Sequence, residues 1–128
     1  MEIAFLTLED VLALHEELIQ RYGGTPGLRD AGLLEAVLAM PQAGFGSQYF
    51  HEFPHEMAAA YLFHLARNHA FLDGNKRVSL ACAILFLKIN HVSYSITEEE
   101  AAELTLGTAS GSMEKGAVTA FFRKHLKI

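Results

Sequence analysis

Residues 69–77, with the sequence HAFLDGNKR, place a histidine, a carboxylate, an amide and two cations within nine positions, between two apolar stretches. A turn between two helices needs only the Asp-Gly-Asn part of this segment. A base, a carboxylate and an anion-binding turn are together the groups that phosphoryl or nucleotidyl transfer requires. We therefore treat this segment as the candidate active site.

The second half of the segment is typical of a phosphate-binding turn. Gly74 can adopt a left-handed conformation at the start of a helix, where backbone N–H groups lack partners and attract anions. Asn75 can brace the turn or donate to an oxygen. Lys76 and Arg77 add positive charge, and a guanidinium can grip two oxygens at once.

The first half supplies a base and a metal ligand. Histidine titrates near neutrality, so His69 can take a proton from an attacking hydroxyl. Asp73 would repel a phosphate unless a cation lay between them, and Mg²⁺ is usually held by one carboxylate plus phosphate oxygens. Phe71 is interpreted as the buried side chain that fixes the loop. The plain alternative is a polar turn with His69 as a C-terminal cap and Asp73 as an N-cap. A match to a fixed pattern at seven positions, each with a probability of roughly one in twenty, is rare by chance, which argues against that alternative.

The elements that must position this segment are helical. Residues 54–69 and 76–90 are apolar nearly all round, which predicts two central helices joined by the candidate site. Thr7 with Asp10, and Thr97 with Glu100, form capping boxes that predict the starts of two further helices, the first ending at Gly23 and Gly24. The remaining predictions are a short helix within 26–41, an exposed loop or small hairpin at 42–53, an extended piece at 91–96, and a last helix from about Met113 to Leu126 capped by Ser112.

Composition excludes several classes of protein. The 128 residues are 51% hydrophobic and 20% charged, which predicts one globular domain over 1–128. No apolar run reaches the roughly 20 residues that cross a bilayer, and the acidic start of the chain does not resemble a signal peptide. A single cysteine, Cys82, excludes an internal disulfide and fits the cytoplasm. The net charge of −5 argues against nucleic-acid binding through a broad basic surface.

The motif resembles the signature of the Fic/Doc family, usually written H-P-F-x-D/E-G-N-G/K-R. It is closest to the Doc (death-on-curing) branch, the toxin half of toxin–antitoxin pairs. The strings RYGGTPGLRDAGLLEAVL and AELTLGTASG also look like Doc at similar spacing, so the resemblance covers essentially the whole chain. It implies the all-α Fic fold, a compact helical bundle with a flap at about Gly44 to Phe53 that docks the target as an added strand.

The resemblance also implies roles for individual residues. His69 would be the base that activates a target hydroxyl, and Asp73 would be the Mg²⁺ ligand. The residues implied to bind ATP phosphates are Gly74, Asn75, Lys76 and Arg77, with Arg67 as a supporting cation. The Doc branch implies an ATP-dependent kinase of a Ser or Thr hydroxyl in a translation factor such as elongation factor Tu, neutralised by a separate, Phd-like antitoxin.

Several positions depart from the family patterns. Ala70 replaces the usual proline, with little consequence expected, and Ala81 stands where Doc carries an asparagine. Gly74 follows the general Fic pattern, whereas Lys76 follows Doc and stands where AMP-transferring members have glycine. The self-silencing pattern S/T-x-x-x-E-G/N is approached only by SGSMEK, with Lys115 in the last place, so we expect no intramolecular brake. Phosphoryl transfer is the preferred reaction, and AMP transfer to a protein is the alternative.

Two other classes of function compete with this one. The side chains His51, His55, His64, His69, Glu52 and Glu56 suggest a metal or hydrolytic site. Pro54 argues against one continuous helix through His51 and His55, and HEFPHE lacks the HExxH spacing, so exposed surface histidines are the better interpretation. A catalytically inactive module that only binds a partner is the other alternative, and the intact set from His69 to Arg77 argues against it.

Overall fold

The computed structural model describes residues 2–127, which form six α-helices and two pairs of very short strands. The order is α1 (Leu8–Tyr22), α2 (Ala31–Ala39), β1 (Gly44–Phe45), β2 (Gln48–Tyr49), α3 (His55–Asn68), α4 (Asn75–Ile89), β3 (Ser93–Tyr94), α5 (Glu98–Ser110), α6 (Lys115–His125) and β4 (Leu126–Lys127). Strands β1 and β2 pair antiparallel, as do β3 and β4. The all-α prediction is therefore confirmed.

Helices α3 and α4 form the centre of the bundle, as their apolar sequences predict. In α3 the whole stretch from Met57 to Leu62 is buried, and in α4 the buried side chains include Val78, Cys82 and Phe86. Three consecutive alanines in α3 keep that helix thin, which lets its neighbours approach closely. The remaining helices pack around this pair, so the loop between α3 and α4 is anchored at both ends in the core.

Local sequence signals set most helix ends. Both predicted capping boxes form: Thr7 and Thr97 each accept a hydrogen bond from the N–H three residues on, and the acidic side chain there accepts in return. Helix α2 begins at Ala31, because the Asp30 side chain accepts the N–H of Leu33. The extended residues before Asp30 are free to pair with the loop between α3 and α4.

The predicted cap of the last helix is wrong. Ser112 donates to the carbonyl of Gly107, and Met113 N–H donates to the same oxygen, so both residues belong to the turn that closes α5. Helix α6 instead starts at Lys115 with Glu114 as N-cap, two residues later than predicted. The competing acceptor is the carbonyl of Gly107, only five residues before Ser112, and the residue types do not show that the end of α5 would take this hydroxyl.

The segment between α2 and α3 is a small hairpin, one of the two forms predicted for it. Gly44 pairs with Tyr49, and Phe45 with Gln48. Phe45 and Phe50 are exposed, whereas Tyr49 packs edge-on against the ring of Phe5 with centroids 5.5 Å apart. The hairpin therefore presents aromatic side chains to solvent.

Within residues 2–127, the search for a membrane-crossing segment finds no helix that combines the necessary length with sufficient apolar character.

Candidate active site

The loop between α3 and α4 turns through two residues in the left-handed conformation. His69, with φ 51° and ψ 53°, ends α3, and Gly74, with φ 77° and ψ 16°, precedes α4. This conformation is open to glycine but costs roughly 1–2 kcal/mol for a residue with a Cβ. His69 is therefore held in an unfavourable backbone geometry, and other contacts must maintain it.

The loop opens onto a cleft of about 770 Å³ between the start of α4 and one side of α5. The motif contributes His69, Asp73 and the run from Gly74 to Arg77, and α5 contributes Ala102, Thr105, Leu106 and Ala109. The proposed base, metal ligand and phosphate-binding turn thus share one cavity. The side chain of His69 is exposed and has no hydrogen-bond partner among the residues described, so its ring nitrogens are available to a substrate.

Arg29 holds the end of α3, a role that no pattern in the sequence predicts. Its Nε donates to the carbonyl of His69 at 2.6 Å, and its Nη2 donates to that of Asn68 at 3.0 Å. The backbone N–H groups of Arg29 and Asp30 both donate to the carbonyl of Ala70. These four bonds satisfy carbonyls at the helix end and stabilise the left-handed turn at His69.

Phe71 and Asn75 fix the middle of the loop from inside. Phe71 is 2% exposed and its backbone pairs with Leu28 in an isolated β-bridge, which confirms its predicted role as the buried anchor. The Asn75 side chain accepts the N–H of Phe71 at 3.1 Å and donates to its carbonyl at 3.0 Å. Of the two roles open to Asn75, its side chain therefore performs the bracing one.

Asp73 is exposed and is held in its charged form. Its Oδ2 accepts the N–H of Thr25 at 3.0 Å, and its Oδ1 accepts that of Gly74 at 2.8 Å. These two hydrogen bonds, with the nearby charge of Arg77, keep the pKa of Asp73 below its usual value. Each oxygen retains a further lone pair. An ionised, exposed carboxylate beside an anion site fits a Mg²⁺ ligand.

The start of α4 supplies the anion site. The first bond of the helix runs from Val78 N–H to the carbonyl of Gly74, so the N–H groups of Asn75, Lys76 and Arg77 have no acceptor in the part of the chain that the structure describes. The N–H of Gly74 is already bound to Asp73. The groups that could bind a phosphate here are therefore three backbone amides, the partial charge of the helix and the side chains of Lys76 and Arg77, the guanidinium of Arg77 lying over the Tyr22 ring at 4.7 Å.

Arg67 lies apart from this group. Its guanidinium stacks over the ring of Phe63 at 5.0 Å and approaches the Glu114 carboxylate at 3.8 Å. It does not line the cleft. The structure thus brings together all the candidate residues except Arg67, the second-last residue of α3, which approaches Glu114 at the N-cap of α6.

The histidines outside the motif form no metal site. No group of three or more His, Cys, Asp or Glu side chains between residues 2 and 127 could hold a metal ion. His51 and His64 instead both contact the ammonium of Lys115, at 2.8 and 3.0 Å. His55 lies 3.1 Å from Nη2 of Arg123. These rings are partners of cations rather than metal ligands. The interpretation of them as exposed surface histidines is wrong, because His55 is buried and His51 and His64 are half-buried.

Comparison with known proteins agrees with the motif. The model of the Fic/DOC family matches residues 5–87, which include the hairpin and the whole loop. The chain belongs to the Fic/DOC family. It is 39% identical over 116 residues to the Protein kinase doc of Escherichia phage P1, covering 91% of this chain and 90% of that one. It is 44% identical over 88 residues to Toxin Doc of Mycolicibacterium smegmatis, covering 69% of this chain and 65% of the relative.

Proposed function

We propose that this protein is a Doc-like toxin that transfers the γ-phosphoryl group of ATP to a Ser or Thr hydroxyl of another protein. The observation that carries the proposal is the common cleft of His69, Asp73 and the three unpaired amides at the start of α4. The similarity to a protein named as a kinase supports the reaction type. Phosphoryl transfer depends mainly on positioning and on charge stabilisation, and this cleft offers both.

The proposed reaction assigns one task to each group. His69 accepts the proton of the target hydroxyl, and the hydroxyl oxygen forms a bond to the γ-phosphorus. The bond from that phosphorus to the bridging oxygen breaks, and ADP leaves. Meanwhile the amides of α4 and the side chains of Lys76 and Arg77 stabilise the phosphate charge. Mg²⁺ held by Asp73 would neutralise further negative charge on the phosphates.

Lys76 favours phosphoryl over AMP transfer. Its side chain would fill the space along the helix start that a second phosphate needs when the α-phosphate occupies the anion site, which directs the γ-phosphate there instead. Gly74, which is shared with AMP-transferring members, has a structural explanation. It is left-handed, and a Cβ there would lie 3.3 Å from Ile19 and 3.4 Å from His15. It therefore carries no weight for AMP transfer.

We further propose a separate, Phd-like antitoxin and elongation factor Tu as the target, with both encounters in the cytoplasm. The segment that most resembles a self-silencing helix does not reach the cleft: Glu114 points to Arg67, and Lys115 to two histidines. Inhibition by another chain is consistent with this arrangement. The exposed hairpin with Phe45 is the proposed docking strand for the target.

Two assays test this proposal. Purified elongation factor Tu incubated with the protein and Mg²⁺·ATP should acquire phosphate on a hydroxyl, detected by mass spectrometry, and His69→Ala should abolish it. No modification would overturn the proposed target. In a thermal-shift assay, ATP should stabilise the wild type and Mg²⁺ should increase that effect. An inactive module or a metal-only site would show no Mg²⁺-dependent nucleotide effect.

A further inference from the structure

His15 is a buried histidine of α1 that the proposed reaction does not use. It is 4% exposed. Its ring stacks on that of Phe71 with centroids 3.8 Å apart and an interplanar angle of 12°. Its Nε2 lies 2.7 Å from the carbonyl oxygen of Asp73. It therefore contacts both the anchor of the loop and the residue proposed to hold the metal.

The hydrogen bond fixes the tautomer and the adjacent peptide. A carbonyl oxygen only accepts, so Nε2 of His15 must carry the hydrogen. The other end of the same peptide unit, the N–H of Gly74, donates to Oδ1 of Asp73 at 2.8 Å. The peptide between Asp73 and Gly74 is thus held at its oxygen by α1 and at its nitrogen by the carboxylate.

The orientation of this peptide matters because it adjoins the anion site. A peptide rotation would exchange the positions of its oxygen and its N–H, and a carbonyl oxygen near a phosphate is repulsive. Gly74 lacks a Cβ and so offers little resistance to such a rotation. We propose that His15 is a positioning residue that locks the Asp73–Gly74 peptide and thereby keeps the anion site in its binding geometry. This inference rests on the proposed function of the cleft.

Two substitutions separate the hydrogen bond from the packing. His15→Phe keeps an aromatic ring against Phe71 but removes the donor. His15→Gln keeps an N–H donor of similar reach but removes the ring. His125 provides a matched control, since it stacks on Phe121 at 4.0 Å and 15° and its Nδ1 lies 2.8 Å from that residue's carbonyl, all on α6. His125→Phe removes the same kind of bond outside the cleft, and with it the 2.8 Å contact between Nε2 of His125 and the Glu100 carboxylate on α5.

The decisive measurement is the affinity for Mg²⁺·ATP by equilibrium titration, together with the thermal unfolding of each variant. We expect His15→Phe to bind about tenfold more weakly, which matches the loss of one net hydrogen bond. His15→Gln should bind within about threefold of wild type, and His125→Phe should bind as wild type does. Equal affinity of His15→Phe and wild type, or equal losses in the Phe and Gln variants, would overturn the inference.

A measurement on the wild type guards against a variant that fails to fold. Nitrogen NMR of the histidine rings should show His15 with hydrogen on Nε2, the nitrogen that faces the Asp73 carbonyl. The opposite tautomer would overturn the inference. Because the readouts are binding and tautomer, they are separate from transfer: a wild type that binds ATP but phosphorylates nothing would refute the proposed function and leave the test of His15 intact.

Discussion

At the scale of single residues, His69 combines an unfavourable backbone conformation with an exposed side chain that suits the proposed chemistry. Its left-handed conformation is maintained by hydrogen bonds that Arg29 and Asp30 donate to its own carbonyl and to those of Asn68 and Ala70, whereas its side chain is exposed and unbonded among residues 2–127. A side chain that contributes little packing at a strained position is consistent with a catalytic role. The C-terminal position of His69 on α3 agrees with the plain cap interpretation as well, so activity must decide between them.

Replacement of His69 should uncouple stability from activity. His69→Gly and His69→Ala both lose the imidazole, and we expect neither to arrest growth of a bacterial host that the wild type arrests. We expect His69→Gly to be more stable than His69→Ala by roughly 0.5–1 kcal/mol in urea unfolding, because only alanine bears the left-handed strain. Host toxicity equal to wild type in either variant would refute the catalytic role. A more stable alanine variant would refute the strain.

Asp73 should control the Mg²⁺ dependence of nucleotide binding. Asp73→Asn keeps an acceptor for a backbone N–H but loses the charge, so we expect ATP affinity to become independent of Mg²⁺. Since hydrogen bonds hold the pKa of Asp73 below its usual value, the carboxylate should lose its charge, and with it its part of the Mg²⁺ effect, only below the pH at which an ordinary aspartate titrates. Titrations with and without Mg²⁺ test both points, and an unchanged Mg²⁺ effect in Asp73→Asn would assign the metal elsewhere.

At the scale of elements, the extended segment before α2 works as a clamp on the loop between α3 and α4. Leu28 bridges to Phe71, and Leu72 N–H donates to the carbonyl of Gly27. Arg29 adds two side-chain bonds at the end of α3. Contacts from a segment some forty residues earlier in the chain therefore determine the geometry of the loop.

Arg29 should be more sensitive to conservative change than an exposed arginine. Lysine has one compact ammonium and cannot span the carbonyls of Asn68 and His69 as a guanidinium does. We expect Arg29→Lys to lower the free energy of unfolding by about 1 kcal/mol and the transfer rate by about tenfold. Arg21→Lys, at an exposed pair with Glu17, is the control and should change neither. Equal behaviour of the two variants would contradict the clamp.

The contacts of Lys115, on α6, with His51 and with His64 of α3 should weaken in acid. Burial and the charge of Lys115 lower the pKa of His64 from 6.5 to about 4, and the same causes lower that of His51. Between those two pH values the unfolded chain binds more protons than the folded one. The contribution of these histidines to the free energy of unfolding is therefore fully present above pH 6.5 and is lost as the pH falls toward 4.

Urea unfolding across that pH window tests the linkage. His64→Gln should show a shallower loss of stability with falling pH than the wild type, because one of the linked protons is removed. His91→Asn is a control, since His91 is exposed in a left-handed turn where asparagine is tolerated. A slope in His64→Gln as steep as in wild type would show that His64 does not titrate in this way.

At the scale of the whole molecule, local patterns predicted what depends on local chemistry. The capping boxes, the two apolar helices and the family motif at 69–77 are readable because each is complete within one short stretch of the chain. The roles of Arg29 and His15 were not readable, since each bonds to a carbonyl far away in sequence, and a carbonyl carries no signature in its residue type. Arg67 shows the reverse case: it lies close to the motif in sequence, but its side chain packs on Phe63 and approaches Glu114 outside the cleft.

The most direct test of the central claim is to incubate the protein and a cell lysate with ATP labelled on either the α- or the γ-phosphate. If Lys76 directs the γ-phosphate to the amides of α4, protein should gain label only from the γ position, and His69→Ala should abolish this. Lys76→Gly should weaken the γ transfer. Entry of α-label into protein with the wild-type enzyme would contradict phosphoryl transfer and establish AMP transfer instead.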